Sequence, residues 1–380
     1  MKYRVPYIDY PAQYEKIRGA VLETVDGVLG RGNVMLRDEL RAFEDHLAEF
    51  AGVKHAVGTG NCTDALYLAL QAAGVGPADE VITVAHTFVA TAAAIRQTGA
   101  NPVLVDVGAD HLMDAAAVEA AITPRTKAIV PVHLNGRLCD MEPLLAIARR
   151  RQLVVMEDAA QGLGASVAER RAGSFGLAGC FSFYPAKILG AYGDAGAVVT
   201  NDHAVAETIR TLRNVGRSQI GEVIAWGSNS RLDNLHAAVL DLKLKLLPGW
   251  IGRRREIASR YHQKLANCPG LVLPPPPAYG DHFDVFQNYE IEADDRDALR
   301  AHLTEAGIET ILPWGGRAIH QFPALGFESV RLPVTERLFE RVLLLPMHCE
   351  LSGEQVDFVA DAIQEFSETN INNGTLPCAV

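Results

Sequence analysis

FSFYPAKILGAYGDAGAVVT, residues 181–200, carries a single lysine, Lys187, in a run that is otherwise aromatic, small and glycine-rich, with no acid until Asp194. An ammonium on an apolar stretch costs solvation free energy unless it is paired, snorkels to water or gives up its charge. The third outcome makes a reactive amine. The second makes an ordinary surface lysine at a strand end, its stem lying on aromatic neighbours. The stretch begins and ends in β-rich runs, CFSFY (180–184) and GAVVT (196–200), which close a series formed by VITVAH (81–86), PVLVDV (102–107), KAIVPVH (127–133) and LVVMED (153–158). Between these, TDALYLALQAAG, FVATAAAIRQTG and MEPLLAIARRRQ place apolar residues at helical spacing, with glycine or basic residues at their ends. Such alternation predicts an α/β fold, a mostly parallel sheet covered by helices on both faces, with ligands beyond the carboxyl ends of the strands.

Past this region the texture changes. An amphipathic segment (Leu232 to Leu247) leads into LPGWIGRRREIASRYHQKL, then into LVLPPPPAYG (271–280), whose prolines predict an extended, solvent-facing connector. FQNYEIEA reads as a strand, DDRDALRAHLTEAG as a helix and GEQVDFVADAIQEF as a closing helix. The expected division is a large domain over 1–248, with an N-terminal helical segment, and a smaller C-terminal α+β domain over 249–380. The polar tail ETNINNGTLPCAV is expected to fray.

Composition limits the function classes. With 380 residues, 48% hydrophobic and 21% charged, the chain can bury a large core and a smaller one. The net charge of −11 argues against a nucleic-acid or anionic-membrane partner, since no basic run exceeds the triplets Arg149–Arg151 and Arg253–Arg255, which read as solvated helix faces. Six scattered cysteines form no CxxC pair, so they suit a reducing cytoplasm and offer no metal site. The start MKYRVPYIDY lacks the apolar core of a signal peptide, and no apolar run is long enough to cross a bilayer.

Three further features bear on Lys187. AVGTGNCTDALYLALQAAG (56–74) reads as a strand end, a glycine-bearing turn and a helix start, whose free N–H groups suit a phosphate; Thr63 is either a ligand there or an ordinary N-cap, with Asp64 complementing the dipole. Asp158 closes the strand VVMED at the carboxyl edge, either as a helix N-cap or as partner of a buried cation such as a pyridinium nitrogen. GLGASV (162–167) lacks the third glycine of a dinucleotide fingerprint. A candidate covalent lysine, an acid at a strand end and a helix-terminus phosphate site are the parts that hold pyridoxal 5'-phosphate.

The blocks GTGNCTDALYLALQAAGVGPADEVI, HTFVATAAAI, PVHLNGRLCDM, EDAAQGLGA, FSFYPAKILGAYGDAGAVVT, GSNSRLDNLHAAVL and LPMHCELSGEQVDFVADAI resemble, in order, the signature blocks of the DegT/DnrJ/StrS family of sugar aminotransferases. The resemblance implies a fold-type I pyridoxal-phosphate transferase, a homodimer with shared active sites. It would move an amino group from an amino acid, glutamate above all, to the C3 or C4 ketone of a nucleotide-linked keto-deoxysugar, with pyridoxamine 5'-phosphate as the half-reaction form. It matches Lys187 to the lysine that holds the cofactor covalently, Asp158 to the partner of the ring nitrogen and Gln161 to the contact of the phenolic oxygen. Thr63 and Ser182 match phosphate ligands, with Cys62 beside them, and Phe88 matches the aromatic stacked on the ring. Asn229 matches a phosphate ligand supplied by the neighbouring subunit, and Arg231 a substrate contact. Trp314 and His320 are the remaining substrate candidates. They lie in ILPWGGRAIHQFPALGF (311–327), where the family more usually has a histidine-tyrosine-proline stretch. Cys62 stands where a smaller residue is frequent, Asn135 where tyrosine is usual, and Gly162-Leu163 where alanine-histidine is frequent. An inosose-type aminocyclitol aminotransferase shares every cofactor block, and a non-catalytic regulator shares the fold. A pyridoxamine-phosphate dehydratase would carry histidine in place of Lys187.

Overall fold

The computed structural model describes residues 3–277 and 280–372. Seven strands, β1 (His55–Thr59), β2 (Glu80–Val84), β3 (Asn101–Val105), β4 (Thr126–Val130), β5 (Val154–Asp158), β6 (Ala178–Ser182) and β7 (Gly196–Thr200), form one sheet in the order β1-β7-β6-β5-β4-β2-β3. Five of the seven strands run parallel in an unbroken row from β6 to β3. Strand β7 is antiparallel to both β1 and β6. Its direction follows from the connection at 183–195, which contains no crossover helix and so turns the chain back on itself.

Alternation along each strand sends neighbouring side chains to opposite faces. Met156, Cys180 and Val198 join a core with Leu66, Leu70 and Ile209, which belong to the helices Cys62–Ala72 and His203–Leu212. Their neighbours Phe181 and Val199 face the other way, onto Phe43, Leu47 and Leu240 of the helices Asp38–Ala51 and Asn234–Leu244. Val155 joins Leu144 and Ile147 of the helix Met141–Arg151. The sheet is thus covered on both faces, as its apolar strands require.

A second sheet carries β8 (Leu271–Val272), β9 (Tyr289–Ala293) and β10 (Val342–Leu345), all antiparallel with β9 in the middle. Its core includes Tyr261, Ile291, Leu303 and Val359, drawn from β9 and from the helices Leu247–Leu265, Arg296–Glu305 and Gly353–Asn372. The helix Leu247–Leu265 serves both cores, with Leu247 and Ile251 in the first and Ile257, Tyr261 and Leu265 in the second. Val5, near the other end of the chain, also packs in the second core and bridges to Ile308.

Three expectations need correction. Arg149–Arg151 are exposed, but Arg254 is buried and donates to the carbonyl oxygens of Phe286, Gln287 and Met347, each at 3.0 Å. A guanidinium with several donors can be buried when carbonyls from neighbouring segments converge on it. The proline run is no solvated spacer: Leu271 and Val272 pair with β9, and Pro274 to Pro277 are half-buried. The closing helix continues to Asn372, so the first residues of the polar tail are helical, while 373–380 lie outside the described residues.

Candidate active site

The carboxyl ends of β5 and β6 open onto a cavity of ≈ 550 Å³. Lys187, Asp158, Thr63, Cys62, Ser182 and Gln161 line it, together with Phe88 and Trp314. The structure therefore brings together eight of the eleven candidate residues. Arg231, His320 and Asn229 are not among its lining.

Asp158 ends β5 and is 5% exposed. Its Oδ2 accepts the Thr91 hydroxyl at 2.7 Å, and its Oδ1 accepts the Ala160 N–H at 3.1 Å. Thr87 lies in the bend before the helix Ala90–Gln97 that carries Thr91, with the two hydroxyls 2.9 Å apart. Burial raises the carboxyl's pKa; the bonds from Thr91 and Ala160 and the nearby Lys187 oppose the rise. A carboxylate so placed is stabilised by a cation brought against it.

Lys187 sits in the β6–β7 connection, half-buried on the cavity wall, with no ion pair within 4 Å among the described residues. Burial lowers its pKa, against the raising effect of Cys62 and Asp158. The shift is in the direction of the third outcome open to an ammonium on an apolar stretch. The backbone around it is clamped from a distant segment: Gln287 Oε1 accepts the Ile188 N–H at 2.6 Å, and Gln287 Nε2 donates to the Ala186 carbonyl at 2.9 Å. Gly190 closes the same turn, where a Cβ would stand 2.3 Å from the Pro185 oxygen.

Thr63 is not a helix cap. Asn61 holds that position, its Oδ1 accepting the Asp64 N–H at 2.8 Å, which leaves the first-turn N–H groups of Cys62 and Thr63 at the cavity wall. Gly196 lets β7 reach this turn, because a Cβ there would lie 2.6 Å from the Cys62 nitrogen. Ser182 ends β6 beside it. Burial pushes the Cys62 thiol well above its usual range, so it remains protonated. Phe88, the aromatic candidate, is exposed at the rim. Trp314 adopts a left-handed φ of 48° and sets its ring edge-on to His86, centroids 5.4 Å apart.

The other three candidates lie elsewhere. His320 is buried with its Nε2 3.2 Å from Glu336 Oε1, because the short helix carrying it packs in a satellite core rather than on the cavity. Arg231 donates to Asn214 Oδ1 at 3.1 Å. Asn229 is exposed and bridges Asn214; it caps nothing, since Asp233 occupies the N-cap of the helix Asn234–Leu244.

The sequence model described as the DegT/DnrJ/EryC1/StrS aminotransferase family matches residues 15–364. The chain belongs to this family. Its members are pyridoxal-phosphate-dependent transaminases. The aminotransferase is 42% identical to a dTDP-3-amino-3,4,6-trideoxy-alpha-D-glucose transaminase of Streptomyces venezuelae, over 96% of this chain and 97% of the relative. It is also 42% identical to a "pleiotropic regulatory protein" of Geobacillus stearothermophilus, over 95% and 98%. The crystal structure of S. venezuelae DesV, in complex with a ketimine intermediate, superposes with a TM-score of 0.93 at 42% identity, covering 96% of this chain and 99% of that one.

Sequence reasoning missed several groups that shape the aminotransferase's cavity. Thr91, the donor to Asp158, stands in HTFVATAAAI at the second residue of the helix Ala90–Gln97, and no sequence pattern marks it as a partner of Asp158. Tyr7, Asn288 and Glu290 also line the cavity, and no local pattern marks them. Glu290 is buried, and His86 and His111 hold its carboxyl far below the usual range against the opposing effect of burial.

Among the described residues no group of histidines, cysteines and acids could hold a metal, and no helix is long and apolar enough to cross a membrane.

Proposed function

We propose that this chain carries out transamination onto a nucleotide-linked keto-deoxysugar at C3, with glutamate as donor. The single observation that carries the reading is the juxtaposition of a buried carboxylate and an unpaired, desolvated lysine in one cavity at the carboxyl edge of the sheet. The C3 assignment is supported by the S. venezuelae relative, whose name places its amino group there.

The residues present fit pyridoxal phosphate. Asp158 would hold the ring nitrogen's positive charge, which its burial otherwise leaves uncompensated. Cys62 and Thr63 N–H groups, the Thr63 hydroxyl and Ser182 would hold the phosphate at the positive end of the helix macrodipole. Phe88 would cover a ring face, and Gln161 would meet the phenolic oxygen. When bound, the cofactor supplies a covalent handle for the amine and an electron sink for the carbanion. Lys187 does the proton work: burial favours its neutral form, so its Nζ can take a proton from the substrate carbon and return it one position along. Asp158 stays ionised opposite a cation, an electrostatic contribution already in place before the barrier is reached.

A two-fold homodimer belongs to the same reading. Asn229 lies outside its own cavity and next to an exposed apolar segment with Ile220, Val223, Ile224 and Trp226. In a two-fold pair each protomer would lend Asn229 to its partner's phosphate site, with Arg231 holding the loop through Asn214. We also propose residues 1–248 and 249–380 as the two domains, and the cytoplasm as the location, where the five described cysteines, all free, would stay reduced.

A panel of nucleotide 3-keto and 4-keto sugars, together with inosose, tests the reading against glutamate and glutamine. Turnover of a 3-keto sugar with glutamate is the expected result. Turnover of inosose alone would replace it with aminocyclitol synthesis.

A further inference from the structure

We infer that Asn288, together with Asn135 and Tyr7, fixes which end of the Gln161 side chain faces the cavity. The inference rests on the reading that this cavity holds pyridoxal phosphate. Gln161 Oε1 accepts the Asn135 main-chain N–H at 2.8 Å and the Asn288 Nδ2 at 3.2 Å. A main-chain N–H only donates, so the atom facing it is the amide oxygen. Asn288 is oriented in the same way. Its Nδ2 also donates to Asn135 Oδ1 at 2.8 Å, and its Oδ1 accepts the Tyr7 hydroxyl at 2.9 Å. Both polar atoms of the Asn288 side chain are thereby used.

One end of this network stays open. Gln161 Nε2 has no acceptor among the described residues, and Gln161, Asn135, Asn288 and Tyr7 all line the cavity. The network thus presents a pure donor. An anionic oxygen, such as the cofactor's phenolic oxygen, is the group it suits. The parts come from four separate segments, and the backbone holds them together. Asn135 adopts a left-handed φ of 55°, which asparagine tolerates better than most residues, and Val285 N–H donates to the Gly136 carbonyl at 2.9 Å. Asn288 and Asn135 are positioning residues: they act through Gln161.

The readout is the absorption of the cofactor-loaded protein, titrated to the pH at which its near-ultraviolet and visible bands interchange. A donor to the phenolic oxygen stabilises its deprotonated form, so losing that donor raises the midpoint. Asn288→Asp sets an oxygen against Gln161 Oε1 and Asn135 Oδ1; because the Asn135 N–H opposes a simple flip, the repulsion displaces the Gln161 amide from the pose that aims its Nε2 into the cavity. The expected shift is upward by roughly one pH unit in the otherwise unchanged protein, and by less than half of that in a Gln161→Ala background. An equal shift in both backgrounds means that the new charge acts directly and overturns the inference, as does no shift in either. Should Asn288→Asp fail to retain the cofactor, Asn288→Leu repeats the cycle without adding charge; a smaller rise, absent in the Gln161→Ala background, is expected. Persistence of that rise there, or its absence from both backgrounds, overturns the inference. Native protein that develops no such bands overturns the cofactor reading itself, a result distinct from normal bands that fail to shift.

Discussion

Asp158 and Trp226 mark two opposite extremes of the molecule. The carboxylate is 5% exposed, with donors from Thr91 and Ala160 already in place, whereas the indole is 97% exposed among Ile220, Val223 and Ile224. The cavity floor is finished by contacts inside one chain. The loop has its own backbone bonds, Ile224 N–H to the Gly216 carbonyl and Ser228 N–H to the Leu212 carbonyl, but its apolar side chains are left uncovered within the chain. A contiguous exposed apolar patch marks an interaction surface in soluble proteins, and this one runs directly into Asn229. On the proposed reading the contrast separates two tasks: the cofactor's ring would be held within a protomer, and the phosphate site would be completed across the two-fold axis.

The largest expected effect is at the floor. Lys187→Ala should lower turnover at least as far as loss of a general base, ~10²–10⁴-fold, while the far-ultraviolet spectrum and melting temperature hold. Normal turnover by the purified variant would break the floor's half of the comparison.

Asp158→Asn comes next. An amide keeps the Thr91 contact but not the negative charge, so turnover should fall on the order of 10²-fold while cofactor affinity falls less. A purely local role, holding the Ala160 N–H, would instead cost about 1 kcal/mol of stability and leave activity per folded molecule intact.

The loop's half is tested by mixing. Lys187→Ala chains and Asn229→Ala chains are each impaired, yet a mixed two-fold dimer holds one site with both lesions and one with neither. After verified subunit exchange of equal amounts, activity should return to about one quarter of the native value. Activity that never exceeds the two parents would place Asn229 outside the partner's site.

The smallest effect concerns His111, which bonds the cavity-lining Glu290. Burial opposes a charge on His111, but Glu290 and Glu292 outweigh it and raise its pKa to about 9. The imidazolium therefore contributes stability fully below pH 6.5, its ordinary value, and loses it as pH rises through about 9. Melting temperature should decline across that window, and His111→Gln should flatten the decline. An unchanged slope in the variant would remove His111 from the account.

The sequence disclosed what local chemistry dictates. Apolar alternation located the strands, and the position of Asp158 at the end of VVMED followed from that. Lys187 stood out because nothing around it in the chain could pair with it. Thr63 at a helix start was legible too, although the cap proved to be Asn61, one residue before the helix. What stayed hidden depends on contacts between remote segments. Gln287 clamps the lysine turn from 99 residues away, and Asn288 reaches Gln161 across 127. No periodicity encodes such pairs. Arg254 shows the same limit: its triplet reads as a charged surface, and only the folded chain brings three carbonyls onto its guanidinium. Trp314 and His320 share one sequence block and the same satellite core, yet only Trp314 also reaches the cavity.

The central claim is that Lys187 is the amine that takes the cofactor. Incubation of the purified protein with pyridoxal phosphate, borohydride reduction and peptide mass mapping tests it most directly. The account predicts one stoichiometric label per chain, on the peptide containing Lys187, and none on the Lys187→Ala variant. A label on another lysine, or no label on folded protein, would contradict it.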